Sequence, residues 1–308
     1  MINLRYRDKG TGVHKLNPFV KLAWLTSVFA LALIFNHPLY LLALLLAILL
    51  PVVAAKVWRE WLISLKFALY FSLVIVIINM LVSYHGSHVL YQAPFKLPVV
   101  GIPTITLEAM VFGLGMALRL LVIISAFVLV NLTVHPDDMM LAMIKMKLPY
   151  KSVLVTSLST RFIPTFIDDI ERIRDVQRSR GLELDKGKLV QRVKNYSAVI
   201  MPLLSNSLDR SVQVAEAMES RAFGAGTRRT FYKETKLGKA DIPALAGSTL
   251  PLLMGILMWR YGLGGYQYYP TLGKISLGGI DLFWLVASIL VISSLVLWGL
   301  MKKGLEID

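Results

Sequence analysis

PFVKLAWLTSVFALALIFN, residues 18–36, runs into LYLLALLLAILLPVVAA, residues 39–55, with only the Asn36-His37-Pro38 step joining them. Each block comes close to the roughly 20 apolar residues that a helix needs to cross a bilayer. Asn and Pro at the junction suit a tight turn. Two spans therefore follow one another almost without a loop. The first is not read as a cleaved leader, because it feeds a second apolar block and lacks a small-residue cleavage site at the expected distance.

Working outward, four more apolar segments qualify: residues 65–83, 107–132, 242–261 and 282–301. The fifth is broken by Pro243, Pro251 and glycines. Over 308 residues, 56% are hydrophobic and only 17% are charged, with a mean hydropathy of +0.63. Soluble domains carry about a quarter charged residues. The expected fold class is an all-α membrane protein of six transmembrane helices. There is no cysteine, which excludes disulfides, thiolate metal sites and a Cys nucleophile.

The net charge of +14 raises nucleic acid as a partner. The placement of the basic residues argues otherwise. One side holds Arg5, Arg7, Lys9, Lys15, Lys21, Lys56, Arg59, Lys66, Lys302, Lys303 and all of residues 133–240, where 19 Lys and Arg face 12 Asp and Glu. The other side has little beyond Lys96, Arg260 and Lys274. Basic loops stay in the cytoplasm, so both termini are expected there, and no basic stripe with interleaved aromatics marks a nucleic-acid surface. The chain thus divides into a cytoplasmic arm (1–17), spans one to four (18–132), a cytoplasmic domain (133–240), and spans five and six with a short tail (241–308).

The cytoplasmic domain is patterned. His135-Pro136-Asp137-Asp138 opens a helix, since Pro and acids suit a first turn. A longer helix is expected from about Tyr150 to Ser179. Its second half carries Ile163, Phe166, Ile167, Ile170 and Ile173 at helical spacing, against an ionic face of Asp168, Asp169, Glu171, Arg172, Asp175 and Arg178. Gly181 suits the glycine position that ends a helix. After a charged turn (183–188) another amphipathic helix runs from about Leu189 to Phe223, kinked at Pro202, with Leu204, Leu208, Val212 and Ala215 as its apolar stripe. Both helices close on Ser-Arg-small: Ser179-Arg180-Gly181 and Ser220-Arg221-Ala222, 41 residues apart. One such Arg merely complements the helix dipole. Two matched endings in one domain point instead to paired docking ends, because a guanidinium fork binds carboxylates bidentately and stays charged.

Other signals read as bland. Gly181…Gly187-Lys188-Leu189 fails as a P-loop on spacing, and has Leu where a Mg²⁺-binding Ser or Thr belongs. His85 and His88 lack a third ligand nearby in sequence. The carboxylates Asp168 to Asp175 would suit Mg²⁺-diphosphate chemistry, but Arg172, Arg174 and Arg178 share their helix. Arg119 sits near the middle of the fourth span, where a charge is costly and suspect by default. It is either held by carbonyls within the bundle or used functionally. Gly113, Gly115 and Ala117 are small enough for close helix packing.

Several segments, in order, resemble the T component of energy-coupling-factor transporters, the family that includes the transmembrane subunit of cobalt importers. They are His14-Lys15-Leu16-Asn17-Pro18-Phe19-Val20-Lys21-Leu22, Leu118-Arg119-Leu120, Thr133-x-x-Pro136-Asp137-Asp138, Leu148-Pro149, Arg161-Phe162-Ile163-Pro164, Gln177 to Gly181, Ala217 to Phe223, and Arg229-Thr230. The similarity covers roughly residues 12–232. It implies a non-catalytic subunit of an importer. Two ATP-binding-cassette ATPase subunits, identical or different, would hold one coupling helix each through the Arg of an Ala-Arg-Gly signature. A small substrate-binding membrane subunit would receive the motion. Carried over, Ser179, Arg180, Gly181, Ser220, Arg221 and Ala222 are the ATPase-docking residues. Arg119, Pro164, Glu219 and Phe223 are candidates for structural or coupling roles. No cofactor is expected on this chain, with ATP and Mg bound by the partners, and no metal or nucleic acid. The sequence departs from the signature at Ser179, Ser220 and Ala222, and has two spans after the coupling region where fewer are expected. Uptake of a vitamin or a transition-metal ion follows from the resemblance. The alternatives are a membrane enzyme acting on a lipid diphosphate, which would use the Asp168–Asp175 carboxylates, and a stand-alone secondary carrier, which lacks the paired broken helices of two similar halves.

Overall fold

The computed structural model describes residues 8–83, 86–92, 104–145, 149–182, 189–224, 238, 241–273 and 278–305. Their helices are α1 (Gly12–Lys15), α2 (Pro18–Ile34), α3 (Pro38–Ala54), α4 (Trp58–Val82), α5 (Leu107–Thr133), α6 (Pro136–Lys145), α7 (Tyr150–Ser179), α8 (Leu189–Ser220), α9 (Asp241–Arg260) and α10 (Gly279–Leu305). A short antiparallel pair, β1 (Val89–Gln92) with β2 (Thr104–Thr106), precedes α5. Contacts divide the chain into two units. Residues 1–142 and 235–308 form the first, and residues 143–234 the second. The chain is an all-α membrane protein.

Within the first unit, α4, α5, α9 and α10 are long and apolar enough to cross a membrane. The apolar helices α2 and α3 have 17 residues each, about 25 Å at 1.5 Å per residue, the short end of the spanning range. α2 packs on α5 and α9, α3 on α5 and α10, and α4 along α5. Val20, Trp24, Val28, Leu31, Leu41, Leu44, Ile48, Val122, Leu129 and Ile292 form the shared core. α4 leaves Phe67, Tyr70, Phe71 and Leu73 more than half exposed, an outward apolar face that hydrocarbon tolerates and water does not. α4 starts at Trp58 rather than Leu65, because Arg59 and Glu60 belong to its first turn. Apolarity marks the lipid-embedded part of a helix, not its whole length. The pair β1–β2 was not expected; each strand is too short to carry a period.

Polar residues fasten the bundle at chosen points. The Asn17 side chain accepts from the Phe19 N–H at 3.1 Å and caps α2, with Pro18 at its first position. Lys21 is 3% exposed and donates to the carbonyls of His14 (2.9 Å) and Thr133 (2.8 Å). It thereby ties α1, α2 and the C-terminal end of α5 together, where a cation also meets the negative pole of the helix. Trp24 Nε1 donates to Ile292 O at 3.0 Å and Ser27 Oγ to Ser248 O at 2.7 Å, fixing α10 and α9 against α2. Lys21→Met is expected to cost about 2 kcal/mol, the size of a charge-assisted hydrogen bond lost from buried carbonyls. A lower melting temperature of the detergent-solubilised chain checks it; an unchanged one contradicts the fastening role.

Arg119 lies within α5. Its Nη2 donates to the Phe35 carbonyl at 3.0 Å and to Asn36 Oδ1 at 2.7 Å. These oxygens sit at the C-terminal end of α2, so the guanidinium caps that helix. Phe112, Met116, Tyr266 and Tyr268 complete the walls of a cavity of about 130 Å³ beside it. Tyr268 donates to Asn36 O at 2.6 Å, and burial pushes its hydroxyl up to about 12. The step between α2 and α3 is held by Asn36 N–H and His37 N–H, both donating to Gly264 O. His37 Nδ1 accepts from Leu39 N–H at 3.2 Å and caps α3. Burial lowers its pKa, which favours the neutral ring that this capping bond needs. Residues 261–273, the described part of the glycine- and tyrosine-rich segment after α9, therefore form a lid over the α2–α3 turn. His88 bonds the buried Glu108 carboxylate at 2.7 Å; His85 lies outside the described residues. Gly113 faces the α4 backbone at Val76, and Gly115 faces Tyr268.

Candidate functional site: two matched helix ends

The second unit is built on α7 and α8, which pack on each other. Both helices are amphipathic, and both contain a proline, Pro164 and Pro202. Ile163, Ile167 and Ile170 on α7 and Leu204, Leu208 and Val212 on α8 are exposed. These apolar stripes are the ones read from spacing, and α7 and α8 do not cover them.

The two C-terminal ends have the same construction. At the end of α7, the Gly181 N–H donates to Arg178 O (2.9 Å) and the Leu182 N–H to Gln177 O (3.0 Å). At the end of α8, the Ala222 N–H donates to Glu219 O (2.8 Å) and the Phe223 N–H to Met218 O (2.9 Å). Both patterns are the Schellman closure, which satisfies orphan carbonyls by turning one residue left-handed. That residue is Gly181 (φ +84°) in one and Ala222 (φ +53°) in the other. The serines match too. Ser179 Oγ donates to Val176 O at 2.8 Å, and Ser220 Oγ to Ala217 O at 3.1 Å, each three residues back. Arg180 and Arg221 are thus the last residue before the left-handed turn at each end. Both are exposed, and neither guanidinium has a partner among the described residues. An exposed, permanently charged fork at a hydrogen-bonded helix end is a ready donor for a carboxylate on another chain.

The difference between the ends is local. Glycine adopts the left-handed region freely, whereas an L residue with a Cβ pays roughly 1 kcal/mol there. Ala222→Gly is therefore expected to stabilise the end of α8 by about that amount. Slower amide exchange at residues 218–223 checks it; exchange unchanged or faster contradicts the strain. Phe223 follows at 42% exposed. Glu219 is exposed, and Pro164 lies exposed inside α7.

The carboxylates do not gather as a diphosphate site would need. Asp169 Oδ2 receives Arg210 Nη2 from α8 at 2.8 Å. No cluster of three or more His, Asp and Glu side chains forms among the described residues. From the sequence, Asp169 reads as part of an ionic face, and no local pattern pairs it with Arg210. The charged turn 183–188, with Gly187 and Lys188, and Arg229-Thr230 lie outside the described residues.

Comparison with known proteins agrees in extent with the residues quoted above. The family model described as CbiQ, cobalt transport protein, matches residues 9–232. An energy-coupling factor transporter transmembrane protein EcfT of Staphylococcus aureus (strain 04-02981) is 29% identical over 265 residues, covering 83% of this chain and 96% of that protein. The protein of the same name from Acidaminococcus fermentans is 26% identical over 264 residues, covering 83% and 96%. That from Bacillus selenitireducens is 30% identical over 244 residues, covering 76% and 88%. With the family match running through α2 to α5, α7, α8 and both Ser-Arg endings, the chain belongs to the CbiQ family.

Proposed function

We propose that this chain is the transmembrane coupling subunit of an energy-coupling-factor type ABC importer. It performs no chemistry. ATP and Mg²⁺ bind two separate ATPase subunits, identical or different, and their closure drives α7 and α8. The motion passes to a small membrane subunit that binds the substrate, a vitamin or a transition-metal ion. The observation that carries this reading is the pair of helix ends closed in the same way, each offering an exposed arginine without a partner among the described residues. The relatives, named as energy-coupling factor transporter transmembrane proteins, support it.

Ser179, Arg180 and Gly181 form one docking end; Ser220, Arg221 and Ala222 form the other. In each, the Schellman closure holds the arginine where a partner's groove meets it, and the helix transmits the push along its axis. The exposed apolar stripes of α7 and α8 suit the substrate-binding subunit, since a partner that covers them removes apolar area from water. Arg119, capping α2, has a structural role in keeping the bundle rigid. Both termini and the second unit lie in the cytoplasm, from the distribution of Lys and Arg.

The test is purification of the tagged chain from detergent-solubilised membranes of its own host, with mass spectrometry of what accompanies it. The expected result is one or two ATP-binding-cassette subunits and a small membrane protein. A chain that arrives without any ATPase overturns the reading.

A further inference from the structure

Among the contacts where α7 and α8 meet are two hydrogen bonds between the helices. Arg210 Nη2 donates to Asp169 Oδ2 at 2.8 Å, and Gln177 Nε2 donates to the Ala198 carbonyl at 3.2 Å. Going from the first contact to the second, the chain advances along α7 and retreats along α8. The helices are therefore antiparallel where they meet, and their C-terminal ends leave the crossing in opposite directions. Eleven residues separate Asp169 from Arg180, and eleven separate Arg210 from Arg221. At 1.5 Å per residue, the two arginines stand about 16 Å along their helices from the ion pair. Neither arm contains a proline: Pro164 and Pro202 both lie on the far side of the pair. The arms are thus of equal length and uninterrupted, and both start from the same charged contact. Asp169 is 17% exposed and Arg210 31%, so the pair is partly shielded from water. Removing one charge leaves the other poorly solvated.

We propose that the Asp169–Arg210 ion pair is the clasp that makes the two docking arms move as one, and that both are positioning residues for coupling. The proposal rests on the reading of α7 and α8 as the docking helices. Without the clasp, each arm follows its own partner, and a displacement at Arg180 no longer reaches Arg221. Neither residue touches a docking end, so the clasp is separable from docking itself.

The chain contains no cysteine, so two spin labels can be placed uniquely by Asp175→Cys on α7 and Glu216→Cys on α8. Both sites are exposed, each five residues before its arginine. Pulsed dipolar spectroscopy then reads the spread between the arms in the full chain purified with its partners. It is read without nucleotide and with a non-hydrolysable ATP analogue plus Mg²⁺. The original pair is expected to give one narrow distance that shifts with the analogue. Asp169→Arg or Arg210→Asp alone should at least double the width of the distribution and reduce the shift more than twofold. The milder Asp169→Asn should do so in part. The exchanged pair, Asp169→Arg with Arg210→Asp, should restore both. A width unaffected by the single changes overturns the clasp, as does an exchanged pair no better than either single. If no ATPase accompanies the chain, the docking reading fails instead, and the nucleotide-free width still decides whether the pair joins the arms.

Discussion

The double reversal Arg180→Glu with Arg221→Glu is expected to abolish recovery of ATPase subunits with the solubilised chain, while leaving the chain itself folded. Each guanidinium is exposed and has no partner within the described residues, so replacing it breaks no contact among them. The last turn and its left-handed residue are closed by backbone bonds that do not involve the arginine side chain. Losing one member of a close charge pair at an interface costs about 2–5 kcal/mol, and reversal adds repulsion from the acceptor. One end should therefore weaken binding by roughly thirtyfold or more, since about 1.4 kcal/mol is tenfold. Both ends together should remove it from any practical pull-down. Each single reversal should leave partial recovery, because the second end still holds its subunit. Unchanged recovery with the double variant would move the docking surface elsewhere on the chain.

The second large effect is expected from Gly12→Val. α1 packs against α10 at a point where the Gly12 and Gly299 backbones touch, and a Cβ on Gly12 would overlap the Gly299 carbonyl. Backbone cannot step aside as a side-chain tip can. The helices must separate, and Lys21 then loses its place between α1 and α5. Overpacking of a tight contact costs about 1–3 kcal/mol and sometimes more; here the upper end is expected. The readout is the fraction of chain that elutes as a monodisperse peak from detergent, with its melting temperature. Gly299→Val should repeat the loss from the other side, and a stable, monodisperse Gly12→Val variant would contradict the close approach.

Much of this architecture was legible before any coordinates. Runs of apolar residues place membrane helices because nothing else in a protein needs so long an uncharged stretch. The amphipathic faces of α7 and α8 were read from spacing for the same reason that makes them helices. Gly181 announced the end of α7, since glycine commonly takes the left-handed position there. Ala222 announced nothing. An alanine is a strong helix former, and only its place in the matched Ser-Arg ending linked it to Gly181. The Asp169–Arg210 pair was also hidden, because each residue sits in a charged face that reads as solvated. Its one trace is a spacing: 41 residues part Asp169 from Arg210, as they part Arg180 from Arg221. Two helices with equivalent positions offset by a constant interval are a signal worth reading in other chains. The β1–β2 pair and the lid over the α2–α3 turn depend on contacts distant in sequence, such as Asn36 with Gly264, and no local pattern encodes them.

The central claim is that the ends of α7 and α8 are where the ATPases dock. It is tested most directly by a photo-reactive amino acid placed at Ser179 or at Ser220, with ultraviolet cross-linking in native membranes and identification of the captured chain. Both serine side chains are exposed and adjoin the arginines. The account predicts that each position captures an ATP-binding-cassette subunit. ATPase subunits that accompany the chain but are captured from neither position would contradict it.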